Sequence, residues 1–280
     1  MNSTVEDKLD MLVARLRGLK KVVVGFSGGI DSTLILKIAV ETLGKRNVWA
    51  VTGNSESLLP EELEFCRILG RRIGLSTANF LEIRTDELSD PKYRANPVDR
   101  CFYCKHELFS RLNELAQSVG ATYVVDGSNA DDSKDWRPGR RAAGQIGVIS
   151  PLADAGITKD EIRQLARRFD LPNWNKPALA CLSSRIPYGS EVTVDKLNQV
   201  ANAERFLRSL GFTQLRVRHH DKIARIELLK EEMPRLDNRE LMDAIVAKLK
   251  EIGFAYVTLD LQGFRSGSMN ESVKQDKIDE

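Results

Sequence analysis

The chain lacks any large excess of charge: forty-two basic residues face forty acidic ones over 280 positions, a formal charge of +2. So close a balance gives no ground for a nucleic-acid partner on charge alone, and local patches must carry any such claim. It also lacks an apolar run long enough to span a bilayer, and the opening stretch from Met1 to Lys21 holds no apolar core of signal-peptide length. The expectation is a cytoplasmic protein with no membrane partner. Cysteine is scarce. Four in a chain of this size are too few for a disulfide-built secreted scaffold. Internal repeats and low-complexity tracts are absent too. What is there, 42% hydrophobic residues in 280, suffices for one large core or two modest ones, and two is the expectation.

Val22 to Phe26 is a short apolar run ending in glycines, and Leu34, Ile35, Ile38, Ala39 and Leu43 follow at helical spacing. Strands expected over 48–52, 77–83 and 122–126 alternate with helices over 60–73 and 102–119. A further strand over 147–150 and a helix over 159–169 complete the pattern. That alternation predicts an α/β fold with a doubly wound parallel sheet. Residues 171–190, rich in Pro, Ser, Asn and Trp, show no period and read as a long loop of the kind that usually carries function. Beyond them the pattern changes to helix (194–210), two alternating strands (214–219 and 222–228), helix (239–252) and strand (256–261). This is a smaller C-terminal α+β layer. The expected domains are 1–190 and 191–270, with a fraying tail over 271–280.

Ser27-Gly28-Gly29-Ile30-Asp31-Ser32 lies where the first buried strand feeds a helix, so successive backbone N–H groups can converge on an anion. The glycines permit the close approach a phosphate needs. A Walker-type loop places Lys and Ser/Thr after its last glycine, whereas here those positions read Ile-Asp-Ser. A loop without that lysine suits a departing pyrophosphate better than transfer of a terminal phosphoryl group, so ATP would be cut between its α- and β-phosphates. The simpler reading is a Gly-Gly turn with Asp31 or Ser32 capping a helix. SGGIDS resembles the SGGxDS signature of the ATP pyrophosphatase, or PP-loop, superfamily (adenine nucleotide alpha hydrolase-like), whose members adenylate a substrate and then displace AMP with a nucleophile. The resemblance implies ATP contacts at Ser27, Gly28, Gly29, Asp31 and Ser32. It also implies contacts at Asn54 and Ser55 after the second strand, and at Asp126 and Asn129 after a later one. Asp31 is a candidate Mg²⁺ ligand, and Asp126 either holds Mg²⁺ or caps its own loop.

Cys101-Phe-Tyr-Cys104 stands at the start of an amphipathic helix, with both sulfurs on one face at three-residue spacing. A helix N-terminus favours the thiolate, the form that binds metal. Cys181 in the long loop is a candidate third ligand, resting on the fold and the resemblance, while Cys66 falls in an apolar helix pattern and reads as core. Three thiolates leave one iron of a [4Fe-4S] cluster open, and an open iron can take sulfide. The competing readings are zinc completed by His106, a redox dithiol, and a structural coincidence.

Trp174-Asn175-Lys176-Pro177 and Ser183-Ser184-Arg185-Ile186-Pro187-Tyr188-Gly189 resemble the LarE-type branch of that superfamily, sulfur-inserting enzymes of nickel-pincer nucleotide cofactor synthesis. So do Asp135-Trp136-Arg137-Pro138-Gly139, Leu210-Gly211-Phe212, Arg216-Val217-Arg218, Ile223-Ala224-Arg225-Ile226-Glu227 and the closing segment from Tyr256 to Gly267. The resemblance covers nearly the whole chain. Some members carry, at the position of Ala180, a cysteine whose own sulfur is surrendered; its absence here implies the branch with a cluster on Cys101, Cys104 and Cys181. A register displaced by one residue would make Cys181 that donor instead.

Family resemblance implies an ATP-dependent sulfur transferase that adenylates pyridinium-3,5-biscarboxylic acid mononucleotide and replaces AMP by sulfide, with a sulfide donor and a homo-oligomer built of trimers. Lys176 and Arg185 would neutralise charge at the α-phosphate. Arg216 and Arg218, two apart in a strand, project from one face and suit bidentate contact with phosphate or carboxylate, or form an ordinary solvated strand. Trp136 joins them as an implied substrate contact. Glu204 matches an acidic position of the family or lies on a solvated helix face. His219 and His220 are assigned nothing. The rival readings are a cluster-dependent tRNA thiolase, disfavoured by the near-neutral charge, an amidating ligase that would need no cysteine trio, and an ATP- or metal-binding protein without turnover.

Overall fold

The computed structural model describes residues 4–134, 138–177, 180–265 and 267–268. In chain order its elements are α1 (Val5–Leu19), β1 (Val22–Gly25), α2 (Ile30–Leu43), β2 (Val48–Asn54), α3 (Pro60–Ile73), β3 (Phe80–Arg84), α4 (Pro91–Arg94) and α5 (Arg100–Ser118). Then come β4 (Tyr123–Val125), α6 (Pro138–Ile146), α7 (Pro151–Asp154), α8 (Lys159–Arg168), α9 (Val194–Ser209), β5 (Leu215–His220), β6 (Ile223–Leu228), α10 (Arg239–Ile252) and β7 (Tyr256–Leu259). Contacts divide the chain into two units, residues 1–87 with 99–179, and 88–98 with 180–280. Among the described residues no helix is long and apolar enough to cross a membrane.

The first unit is built on a parallel sheet of order β3-β2-β1-β4. Strand β1 is apolar without alternation because both its faces are covered, as parallel sheets require. Val22 and Val24 pack into a core with Leu12 and Leu16 of α1, Leu34 and Ile38 of α2 and Leu165 of α8. Val23 points the other way, to Phe109 and Leu112 of α5 and Ala143 of α6. Capping boxes start α1 (Thr4 with Asp7) and α8 (Thr158 with Glu161), and Pro60 at the head of α3 and left-handed Gly74 after it mark that helix's ends. Strands β2 and β3 lie on one side of β1 and β4 on the other, so the winding reverses between β1 and β4. A crevice outside the carboxyl ends of those two strands is where such sheets hold ligands.

The α/β expectation holds, with local corrections. The strand expected over 147–150 is a single bridge, Val125 to Ile149. Gly147 at φ 80° precedes it and Pro151 opens α7 directly after, leaving no length for a ladder. Helix α6 was not anticipated, because Gly139 and Gly144 break its apolar pattern. Strand β3 begins at Phe80 because Ser76 to Asn79 form a turn closed by Asn79 N–H donating to the Ser76 carbonyl at 3.0 Å.

In the second unit β5 pairs antiparallel with β6, and β6 parallel with β7. Val217, Ala224, Ile226 and Leu228 meet Leu207 of α9 and Ile245 and Leu249 of α10 in a separate core. Residues 180–190 cluster with this unit, ahead of the boundary expected at residue 190. Polar bonds hold them there: Asn96 Nδ2 donates to the carbonyls of Ile186, Pro187 and Ser190, and Arg185 is paired with Glu204.

Candidate active site

The turn from Ser27 to Ser32 leaves β1 and enters α2 through Gly28, at φ 68°, and Gly29, which caps the helix with backbone alone. A side chain at Gly28 would be strained by that φ and would meet Cys66 Sγ at 2.8 Å. The N–H groups of Ile30, Asp31 and Ser32 open the helix and have no intrahelical acceptor, which makes the turn an anion nest. Its inner wall is fixed. Ser27 N–H donates to Ser32 Oγ at 3.3 Å, and Ser32 Oγ and Thr33 Oγ1 both donate to the Gly29 carbonyl, at 3.0 and 2.8 Å. Asn173, only 1% exposed, donates from Nδ2 to the Gly28 carbonyl and to Thr33 Oγ1, at 3.0 and 2.9 Å. Cys66 is the core residue its spacing predicts, and burial pushes its thiol up to about 11, so it stays protonated beneath the loop.

Two lysines stand near the nest. Lys159 Nζ donates to both Asp31 oxygens, at 2.8 and 2.6 Å. The pair keeps 29% and 26% side-chain exposure, open enough to exchange partners. Lys176 Nζ donates to Glu62 Oε2 at 2.6 Å and lies 3.7 Å from the Phe65 ring centroid. Phe65 is itself 3.5 Å from where a Gly28 Cβ would be, so Lys176 stands beside the loop. Asp31, the candidate Mg²⁺ ligand, is occupied by Lys159.

From the neighbouring strand β4 the chain comes in close. A Cβ on Gly127 would fall 2.7 Å from the Ser32 backbone nitrogen, so only glycine fits between the two turns. Asp126 accepts from Ser128 N–H (3.1 Å), Ser128 Oγ (2.7 Å) and Ser150 Oγ (2.8 Å), which is the loop-capping reading of this residue. Asn129 is buried; its N–H donates to Asp132 and its Oδ1 accepts from Asp131 N–H, both at 3.0 Å. Asn54 closes β2, and Ser55 Oγ lies 2.9 Å from Ser57 Oγ, which donates to buried Glu87 at 2.8 Å. The nest and both following loops thus lie along the carboxyl edge of one sheet. Trp136 lies outside the described residues.

The cysteine trio is divided between the units: Cys101 and Cys104 are on the first turns of α5, and Cys181 precedes the 3-10 turn Leu182–Arg185 of the second unit. Cys101 and Cys181 are exposed, Cys104 is half-buried, and no disulfide joins any of the four cysteines. Among the described residues no three histidine, cysteine or carboxylate side chains stand together as a metal nest. The donor set itself, soft thiols with two of them one helical turn apart, fits iron or zinc and not Mg²⁺.

The second unit corrects the most expectations. Arg185 is 1% exposed, and its guanidinium is filled: Nε and Nη2 donate to Glu204 at 2.9 and 3.1 Å, and Nη1 to the carbonyls of Ala180 and Cys181. No face of it is left to neutralise a phosphate. Glu204 is fully buried, not on a solvated helix face, and also accepts from Arg208 (2.7 Å) and Val217 N–H (3.2 Å). Burial alone would raise its carboxyl, but the charges of Arg185, Arg208 and Arg216 outweigh it and hold the group below its usual range. Arg216 and Arg218 share a face of β5 as expected, with Val217 opposite in the core, yet they are 6% and 5% exposed and form no solvated strand. Arg218 reaches diagonally across the ladder to Glu227, at 3.0 and 2.9 Å. Arg216 stacks 5.1 Å from the Phe264 centroid, and burial together with the charge of Arg185 pushes its guanidinium down to about 10.

Sequence reasoning missed Lys159 and Asn173. A signal for the lysine was available: Thr158 and Glu161 announce a helix start, and a cation at its first position opposes the helix dipole unless something negative compensates. For Asn173 nothing in its neighbourhood of sequence points to Gly28.

With this geometry the likeness to known proteins can be weighed. Residues 2–85 match the family model described as NAD synthase. The glutamine-dependent NAD(+) synthetase of Thermotoga maritima is 43% identical over 22% of this chain and 11% of its own. That likeness covers a short part of both chains. An uncharacterized protein of Synechocystis sp. is 46% identical over 95% of this chain and 98% of its own. The pyridinium-3,5-bisthiocarboxylic acid mononucleotide synthase of Lactiplantibacillus plantarum is 43% identical over 99% of this chain and 98% of its own, so both units are shared. The chain therefore belongs to the LarE-type family of PP-loop ATP pyrophosphatases, the family of that synthase.

Proposed function

We propose that the protein converts pyridinium-3,5-biscarboxylic acid mononucleotide to its thiocarboxylate, using Mg·ATP. The observation that carries the reading is an anion nest at the β1–β4 reversal, with Lys159 paired to its Asp31 and Lys176 held nearby on Glu62. A substrate carboxylate oxygen attacks the α-phosphorus, and the bond from that phosphorus to the bridging oxygen breaks. Pyrophosphate leaves into the N–H groups of Ile30 to Ser32. Lys159 releases Asp31 to meet the pyrophosphate, and Asp31 then faces the Mg²⁺ that travels with ATP. Lys176 takes up charge on the α-phosphate side. Asn54, Ser55, Asp126 and Asn129 line the adenosine side through their loops. Sulfide then attacks the activated carbonyl carbon, AMP departs with the bonding electron pair, and a proton is lost; no atom changes oxidation state across the exchange.

Cys101, Cys104 and Cys181 would hold a [4Fe-4S] cluster, whose fourth iron, free of protein, supplies a place for sulfide. Arg216, crowded by other guanidinium groups, is the residue to meet a substrate phosphate or carboxylate, with Arg218 beside it and Trp136 as a further contact. The second unit is also assigned the contacts of a homo-oligomer, and the compartment is the cytoplasm. The test is anaerobic turnover with the dicarboxylate nucleotide, ATP and sulfide, following pyrophosphate and product mass. Pyrophosphate release that depends on the nucleotide, with oxygen exchanged for sulfur, is the expected result. Amide formation from ammonia, or ATP bound without pyrophosphate release, would overturn the reading.

A further inference from the structure

Cys181 presents an exposed side chain on a short irregular segment, a setting in which backbone normally moves freely. Here the backbone is held at successive peptides. The Cys181 carbonyl accepts from Ser184 N–H at 3.0 Å, Ser184 Oγ at 2.8 Å and Arg185 Nη1 at 3.0 Å. The Ala180 carbonyl accepts from the same Nη1. Ser183 Oγ lies 2.6 Å from Tyr93 Oη, and the Ser184 carbonyl accepts from Arg218 Nη1 at 2.9 Å. Turn closure explains the Ser184 bonds alone. It does not explain why a nearly inaccessible guanidinium spends one nitrogen on the two carbonyls flanking the cysteine nitrogen and following it.

The rest of that guanidinium is locked. Glu204 receives Nε and Nη2, and is itself fixed by Arg208 and by Val217 N–H of β5. An unbroken chain of charge-assisted bonds therefore runs from edge strand β5 through Glu204 and Arg185 to the backbone of Cys181. Such bonds are short and directional. Buried ionic groups that are fully satisfied cost stability relative to apolar ones but hold one geometry.

We propose that Arg185 and Glu204 are positioning residues for Cys181, setting its backbone so that the exposed thiol is presented in one orientation before any metal arrives. Preorganisation of this kind lowers the ordering cost of binding at the thiol. The inference deepens the cluster reading and rests on it for the identity of what Cys181 meets; the clamp itself stands apart from it. Arg185→Lys keeps the charge beside Glu204 but offers a single nitrogen, which cannot serve a carboxylate and two carbonyls together. Glu204→Gln keeps the shape of the anchor and removes its charge.

The experiment uses the full chain in two arms. In metal-free protein, hydrogen–deuterium exchange is followed at the Ser184 amide and across β5 and β6. Arg185→Lys is expected to speed exchange at Ser184 about tenfold with the strands unchanged. Should that variant not fold, Glu204→Gln carries the same expectation. Exchange at Ser184 equal to the parent in a folded variant overturns the clamp. In the second arm, iron and sulfide are added without oxygen and each cysteine's alkylation by iodoacetamide is read by peptide mass. The parent is expected to protect all three cysteines, and Arg185→Lys to lose protection at Cys181 while Cys101 and Cys104 keep theirs. Equal protection of Cys181 in parent and variant overturns the positioning role. A parent Cys181 that alkylates equally fast with and without iron and sulfide sinks the cluster reading, and the exchange arm then decides the clamp by itself.

Discussion

The two units handle charge in opposite ways. Around the nest of the first, Asp31 with Lys159 and Glu62 with Lys176 make short pairs that keep a fifth to nearly a third of their side-chain surface in solvent. In the second, Arg185, Glu204, Arg218 and Glu227 are nearly or wholly inaccessible and satisfied on several sides. Accessible pairs can trade partners when a ligand arrives; enclosed ones cannot without leaving a charge stranded. Charged residues of equal prominence in the sequence thus stay open to solvent in one unit and are enclosed in the other.

The comparison breaks first if Arg185→Ala is mild. Removing one partner of a buried pair leaves Glu204 with Arg208 and Val217 N–H alone, and a loss of about 3–5 kcal/mol is expected in urea unfolding. The double change Arg185→Met with Glu204→Met should cost less than Arg185→Ala, since the carboxylate that lost its main partner is gone too; what cost remains comes from Arg208 and Val217 N–H, which lose their acceptor. Lys159→Met should show the reverse profile, with stability altered by no more than about 1 kcal/mol and substrate-dependent pyrophosphate release reduced about a hundredfold or more. Asp31→Ala should likewise stop adenylation while leaving iron binding at the cysteines, to be read by absorption spectra. Gly127→Ala is next: the added methyl meets backbone at 2.7 Å, not a movable side chain. A rise in the KM for ATP is expected at about 1–3 kcal/mol of destabilisation.

The smallest effect concerns pH. Burial, helped by Lys196 for His219 and by Arg225 for His220, lowers both imidazoles from 6.5. A folded value below the unfolded one means full stability above about 6.5, lost as the pH falls below it toward the folded values. Urea midpoints between pH 7.5 and 5 should decline, and His219→Gln should flatten the decline. The depressed carboxyl of Glu204 adds a later loss, below its ordinary 4.5.

Much of this protein was legible in one dimension. Helices α3 and α10 have the bounds their apolar spacing predicts, because an amphipathic face at 3.6-residue period needs no distant partner to be recognised. The run Val22–Val24 followed by Gly28 and Gly29 announced a buried strand opening onto a tight turn into a helix, and at Gly28 few other residues tolerate the left-handed backbone. Local order set the nest.

Side-chain allegiance was decided only in three dimensions. Nothing between Asp31 and Lys159, or between Gly28 and Asn173, connects them along the chain; the packing of α8 on α2 and the turn at 171–174 bring them together. Arg185, Arg216 and Arg218 read as available cations because a sequence shows charge and not accessibility. Whether a guanidinium meets a phosphate or a buried glutamate depends on which surface closes over it, and that is a property of the folded core.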